Sequence, residues 1–315
     1  LVLFDGLRDF IAAYFKGKEK MELEAITMVG TSAALVAFGF VALYISPTHQ
    51  ALIAAYILSS ICGFLIAAFF LRKDIKKIIG NFSKEILPSV AKSAWPIAAG
   101  GLVYSFMFNV DVIMLGWWRT SFEVGLYSAA QKIVGLIYIV PGLISSAVFP
   151  LYSRLVYENE MEKLKSLTSK VVVFLFLIAM PIVVGSVIIG EDIMSFVFGK
   201  EYASANITFA VLMSSIFAVY LFVVLSAFLF AHDKHRKMFG YTIITSLSNV
   251  ALNAALIPHY GIIGAAVATV FSNSLYAFFV WRIVKKINYF TVLPRLFKIV
   301  VAAAIMVFFT FFMAK

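Results

Sequence analysis

A chain of 315 residues that is 63% hydrophobic and 13% charged, with a mean hydropathy of +0.98, lacks the charged surface that keeps a soluble domain dissolved. Its net charge of +10 falls in short clusters between apolar runs instead of along one soluble face, which argues against a nucleic-acid partner and makes the clusters topology signals. The apolar runs are continuous, not alternating, so helices and not barrel strands are the expected spanning elements.

Residues 1–15 (LVLFDGLRDFIAAYF) are too short to span and lack the basic start and cleavage site of a signal peptide. They read as a helix entered midway, in a chain truncated at its N-terminus. Nine full spans are expected after it, at 26–46, 50–71, 94–118, 122–152, 168–189, 207–230, 239–257, 261–284 and 297–313. Each is near or above the ~20 residues a bilayer crossing needs. The span at 122–152 is over-long and is expected to tilt or project. Within it Pro141-Gly142 weakens the helix locally. The segment 190–207 (GEDIMSFVFGKEYASANI) reads as an amphipathic turn at the outer surface.

Lys and Arg counted in alternate connections divide 21 to three. The rich set lies at 16–20, 72–93, 154–170, 234–237 and 282–298; the poor set is Arg119, Lys200 and Lys315. The rich set is therefore assigned to the cytoplasm, which expects a multi-pass protein of the cytoplasmic (plasma) membrane. The loop at 72–93 leaves little room for a folded soluble domain, and no acidic catalytic region stands outside the spans. An enzyme is not expected, nor any catalytic residue or cofactor. Cys62 is the sole cysteine, so no intrachain disulfide is expected; His232 and His235 have metal-pair spacing but no further ligands, and no metal site is expected.

A shift of 218 residues aligns Leu7 with Leu225, Phe10 with Phe228, Ala13 with Ala231 and Lys16 with Lys234. Helix ends share composition, but the matches fit a transporter built from two parallel lobes. On that reading 1–71 is the remainder of a first lobe and 72–93 the cytoplasmic linker. Residues 94–284 form a six-helix second lobe, and 285–315 a loop plus one further span.

The run 109–155 (NVDVIMLGWWRTSFEVGLYSAAQKIVGLIYIVPGLISSAVFPLYSRL) has an Asp-x-x-x-Leu-Gly helix ending, then Val-Gly-Leu-Tyr-Ser-Ala-Ala and a helix closing on Pro150. Residues 256–273 (LIPHYGIIGAAVATVFSN) hold an Ile-Pro and Tyr-Gly hairpin followed by Gly-Ala-Ala, and 7–26 is a weaker third segment. These resemble the Wzx-type O-antigen and oligosaccharide flippases of the multidrug/oligosaccharidyl-lipid/polysaccharide exporter superfamily, to which the MATE transporters are related. The resemblance covers nearly the whole chain and identifies the superfamily better than the cargo. It implies an all-α, polytopic, two-lobe helix bundle of the MATE/flippase type, here with the first lobe incomplete, working by alternating access around a central cavity.

Charges inside spans are expensive, at least ~2.5–3.5 kcal/mol at the centre, so each is a functional candidate. Asp111 and Lys132 lie about 10 and 15 Å below the outer boundary on consecutive helices. Either they pair and hold the helices together, or Lys132 attracts a diphosphate from the cavity while Asp111 tunes its release. Arg8 either contacts an anion or pairs with Asp5 and Asp9 at helical spacing. Gln131 and Tyr138 share a stripe with Gly135, Gly142 and Ser145 that suits close helix packing or a sugar-lined cavity. Asn249 and Asn253, on a stripe with Thr242 and Ser246, and Asn273, beside Thr269, Ser272 and Tyr276, suit interhelical hydrogen bonds or the same cavity.

The function expected is translocation of a polyprenyl-diphosphate-linked oligosaccharide for cell-surface polysaccharide synthesis. Its partners would be that lipid, membrane lipids, a coupling ion (H+ or Na+) and other polysaccharide-assembly proteins. The alternatives are an ion-coupled exporter of organic cations, which predicts a carboxylate-dominated cavity where this chain offers Arg8 and Lys132, and a membrane-embedded glycan polymerase or ligase.

Overall fold

The computed structural model describes residues 2–18, 20–72, 74, 75, 88, 95 and 109–288. The chain divides into two compact units, Leu1–Ile97 and Ala98–Lys315. Every regular element among the described residues is helical, as backbone satisfaction inside a bilayer demands of these continuous apolar runs.

In the first unit α1 (Val2–Gly17), α2 (Met21–Ile45) and α3 (His49–Leu71) pack on one another. Ile11 and Phe15 of α1 bury against Ala67 of α3, with Phe64 and Phe70 around them. Small residues bring α2 and α3 together: a Cβ on Gly63 would collide with Thr31, and one on Gly30 would lie 2.8 Å from Ile66 Cδ1. The link between them is minimal, with Thr48 capping α3 by accepting from the Ala51 N–H at 3.3 Å.

The second unit opens with α4, described over residues 109–118. There follow α5 (Ser121–Ile137), α6 (Ile139–Tyr157), α7 (Met161–Phe198), a 3-10 turn (Lys200–Ala205), α8 (Asn206–Ser214), α9 (Ile216–Ala231) and α10 (His235–Ile287). α10 is folded in two at Gly261, whose backbone (φ 57°, ψ −135°) favours glycine. Its two legs run antiparallel and close: Tyr241 stacks on Phe279 with ring centroids 4.5 Å apart, and a Cβ on Gly264 would lie 2.6 Å from the Leu256 carbonyl oxygen. The core of the unit centres on Tyr127, Tyr152, Phe209, Tyr220 and Phe228, all fully buried.

Three expected elements differ. The run 122–152 is two helices broken at Tyr138, and the second continues through Pro150 to Tyr157 instead of closing on it. Pro141 has no N–H to give the Ile137 carbonyl, and the Tyr220 hydroxyl donates to that oxygen instead, at 3.2 Å. The run 207–230 is likewise broken, at Ser215, and the Ser215 and Tyr138 hydroxyls bond to each other, so the two breaks face one another. The first nine residues of the turn expected at 190–207 are helix, because Met194 buries on the core side and Gly190 packs on Phe209; the chain leaves the helix at Gly199, with φ 106°.

Six helical stretches among the described residues are long and apolar enough to cross a membrane, taking α5 with α6 as one and the 3-10 turn through α9 as another, and α10 supplies two of the expected spans by folding back. The span expected at 297–313 and most of that at 94–118 lie outside the described residues.

Candidate functional site

Asp111, on α4, is 5% exposed, and three side chains from two other helices donate to its carboxylate. The Tyr127 hydroxyl of α5 reaches Oδ2 at 3.0 Å, the Thr269 hydroxyl reaches the same oxygen at 2.6 Å, and Asn253 Nδ2 reaches Oδ1 at 2.5 Å. Asn253 Nδ2 also donates to Asn249 Oδ1 at 3.0 Å, one turn earlier on the first leg of α10. Thr269, on the second leg, stands over the Ala265 carbonyl at 3.0 Å. A carboxylate taken out of water is tolerable only with such donors. Among the described residues Asn253 Oδ1 is buried without a hydrogen-bond partner.

The hairpin explains why these residues meet. Asn253 and Thr269 each lie eight residues from Gly261, so the two antiparallel legs bring them to one depth, about 12 Å from the turn. Asp111 and Tyr127 straddle the Arg119–Thr120 connection in the same way. The two turns are locked to each other by Arg119, which donates from Nε and Nη2 to the Ile257 carbonyl at 3.2 and 2.8 Å, and from Nη2 to the Pro258 carbonyl at 2.9 Å. Those carbonyls lie in the last turn before the Gly261 break. A capping box between Thr120 and Glu123 fixes the start of α5 beside them.

The ion pair between Asp111 and Lys132, one of the two readings of the sequence, does not form. Lys132 is exposed and, among the described residues, has no ion pair or hydrogen bond. Five residues beyond Tyr127, it lies roughly 140° round α5 and ~7.5 Å farther from the turn. Of the candidate residues, Asp111, Asn249 and Asn253 come together. Gln131 and Asn273 are half-buried elsewhere in the second unit, and Tyr138 sits at the break between α5 and α6. Arg8, in the first unit, bonds to Asp5 at 3.0 Å and Asp9 at 2.8 Å.

Tyr127 and Arg119 were not singled out as site residues, and Thr269 was noted only as a neighbour of Asn273. Equal spacing of polar residues about two turns was the signal for Tyr127 and Thr269.

The sequence model of the lipid II flippase MurJ family matches residues 125–315, and that of the polysaccharide biosynthesis protein family matches 1–156. The chain belongs to the polysaccharide and lipid II flippases of the Wzx and MurJ type. It is 29% identical over 267 residues to a protein named probable flippase AglR from Haloferax volcanii, covering 82% of this chain and 54% of that protein. A putative O-antigen transporter of Shigella flexneri is 22% identical, over 83% of this chain and 62% of its own length. The chain thus spans little more than half the length of these relatives. Among solved structures, the lipid II flippase MurJ in an inward closed conformation superposes with a TM-score of 0.78 at 18% identity, over 99% of this chain and 66% of that one. A MATE mutant structure reaches 0.54 at 18% identity, over 87% and 64%. These likenesses establish an all-α, multi-pass membrane fold of the flippase and MATE kind.

Proposed function

We propose that the protein to which this chain belongs translocates a polyprenyl-diphosphate-linked oligosaccharide from the cytoplasmic to the outer leaflet of the plasma membrane, by alternating access and without covalent catalysis. Such a step must carry a charged, sugar-rich head group past hydrocarbon while the lipid tail stays outside, and a hydrated cavity opened to each side in turn does so. The basic ends of the helices, split 21 to three along the chain, then lie in the cytoplasm. Residues 1–71 are read as part of a first lobe, 72–93 as the linker, 94–284 as the second lobe and 285–315 as a loop and further span. Lys132, exposed on α5 and unpaired among the described residues, is the candidate contact for the diphosphate, with Gln131, Tyr138, Asn273 and Arg8 as further cavity candidates.

The observation that carries the mechanism is the Asp111 cluster. Its hydroxyls and amides can each turn from donor to acceptor. With Tyr127, Asn253 and Thr269 donating, the carboxylate is satisfied by the protein. Turning Thr269 and Asn253 would leave oxygens of Asp111, Asn249, Asn253 and Thr269 able to accept, which suits H+ or Na+ as the coupling ion. The first arrangement leaves over one acceptor, Asn253 Oδ1, and the second is completed by an ion, which gives the two states a coupling element requires. The buried, unpartnered Asn253 Oδ1 supports that reading.

The test is leaflet accessibility of a labelled polyprenyl-diphosphate oligosaccharide in proteoliposomes of the full-length protein. Translocation dependent on an imposed H+ or Na+ gradient is expected. Efflux of organic cations with no translocation of any such lipid would replace this reading with a MATE-type exporter.

A further inference from the structure

From Lys234 to the end of the chain, 82 residues, there is no Asp or Glu. Where the two legs of α10 end, Lys234 and Lys237 of the first and Arg282 and Lys286 of the second line one cavity of about 300 Å³. Among the described residues none of these four is in an ion pair, and Asp233, the last acidic residue, bonds to none of them. Topology alone does not require this. At the neighbouring ends of α6 and α7, which also carry four bases, Arg154 pairs with Glu158 at 2.9 Å, Lys163 with Glu160 at 2.9 Å and Lys165 with Glu162 at 3.9 Å. Four cations converging without a counter-charge repel one another by a sum that grows as the local dielectric falls, so the fold tolerates them at one cavity more readily if an anion occupies it.

The walls say what kind of anion. One side of the cavity is the stacked pair of Tyr241 and Phe279, continued by Ile283 and Ile287. A second hollow, sharing Arg282 and Lys286, is walled by Phe278 and Trp281, with Arg282 over the Phe278 ring at 5.8 Å and Lys285 over the Trp281 ring at 4.9 Å. Aromatic rings with cations over their faces suit the membrane–water boundary. A free inorganic anion would have no use for the apolar wall, whereas a phosphate carried on a lipid presents both parts at once.

We propose that the basic ends of the α10 hairpin form a binding site for the phosphate of an anionic lipid headgroup in the cytoplasmic leaflet. Lys234, Lys237, Arg282 and Lys286 hold the phosphate, and the Tyr241–Phe279 wall receives the first apolar part of the lipid. Two lipids supply that chemistry, a bulk phospholipid and a polyprenyl diphosphate. The orientation comes from the proposed function; the site itself does not depend on transport.

The full-length protein in phosphatidylcholine nanodiscs is titrated with phosphatidylglycerol in one arm and a short polyprenyl diphosphate in the other, and bound lipid is counted by native mass spectrometry. Lys237→Gln/Arg282→Gln/Lys286→Gln is compared with Arg154→Gln/Lys163→Gln/Lys165→Gln, which removes the same charge from the same side. With each base near the surface contributing a comparable share, the first triple should weaken binding roughly a hundredfold and the second by less than about threefold. Loss in the phosphatidylglycerol arm assigns a resident phospholipid; loss in the diphosphate arm alone assigns a loading site for cargo. Equal weakening by the two triples in both arms would overturn the site. If the first triple fails to insert, Arg282→Gln alone should still cost about fivefold, and no loss there would overturn it equally. Binding is read without translocation, so a protein that binds but does not flip leaves the site standing and removes only the transport reading.

Discussion

At the Gly261 end of α10, Arg119 directs its guanidinium at the Ile257 and Pro258 carbonyls, so that end is closed by the protein's own groups. At the other end Lys234, Lys237, Arg282 and Lys286 meet no carboxylate among the described residues. Between them, at one depth on both legs, lies the Asp111 cluster, satisfied by the protein yet holding one acceptor to spare. One helical hairpin thus carries a sealed end, a polar middle that the proposed function makes convertible, and an end whose charges meet no carboxylate among the described residues. The difference teaches where to expect rigidity and where exchange. Groups fully matched within the fold resist rearrangement, while those left unmatched are where ligands exert leverage.

The sealed end can be broken most severely at Gly264. A side chain there meets the Leu256 carbonyl, which is backbone and cannot swing aside. Gly264→Val should cost about 3 kcal/mol, read as a fall in the thermal unfolding midpoint of the purified protein in detergent. Arg119→Gln should follow at about 2 kcal/mol, the scale of charge-assisted bonds. Arg119→Lys should recover only part of that, since an ammonium lacks the planar, fixed donors by which the guanidinium makes three bonds from two nitrogens. Tyr220→Phe leaves the Ile137 carbonyl without its donor and should cost about 1 kcal/mol by the same measurement. An unchanged midpoint would mean that the break at Tyr138 does not depend on that bond.

Lys132 should show the smallest effect on stability and a clear one on function. Lys132→Ala, on an exposed and unpaired side chain, should move the unfolding free energy by less than about 0.5 kcal/mol while lowering translocation, with Lys132→Arg close to the parent rate. Adding Asp111→Ala to Lys132→Ala should restore nothing, since the two residues do not pair. Rescue in that double variant would contradict the geometry around Asp111.

Much of this was legible in the residues. Continuous apolar runs fixed the helical, multi-pass character, and the Pro-His-Tyr-Gly stretch marked the fold-back of α10, because proline and glycine punctuate backbone irrespective of tertiary context. Asp111, Asn249 and Asn253 stood out because polar groups in a bilayer must be matched. Their partners did not, since a tyrosine or threonine in a span has cheaper explanations as an anchor or a back-bonded hydroxyl. The paired breaks at Tyr138 and Ser215 were half visible: Pro141 signals the first, but nothing local to Ser215 signals the second, which rests on a contact 77 residues away in sequence. The pairing of Asp111 with Lys132 failed because depth alone was weighed, and position round the helix decides contact as much as depth.

The central claim is that Asp111 couples an ion to movement of the lipid-linked glycan. Asp111→Asn keeps the shape and the capacity to accept from Tyr127 and Thr269 but removes the charge. Translocation by this variant of the full-length protein, measured in proteoliposomes with and without an imposed H+ or Na+ gradient, is the direct test. Loss of the gradient-dependent component, in protein that remains folded, is the predicted result. Translocation at the parent rate with unchanged ion dependence would contradict it.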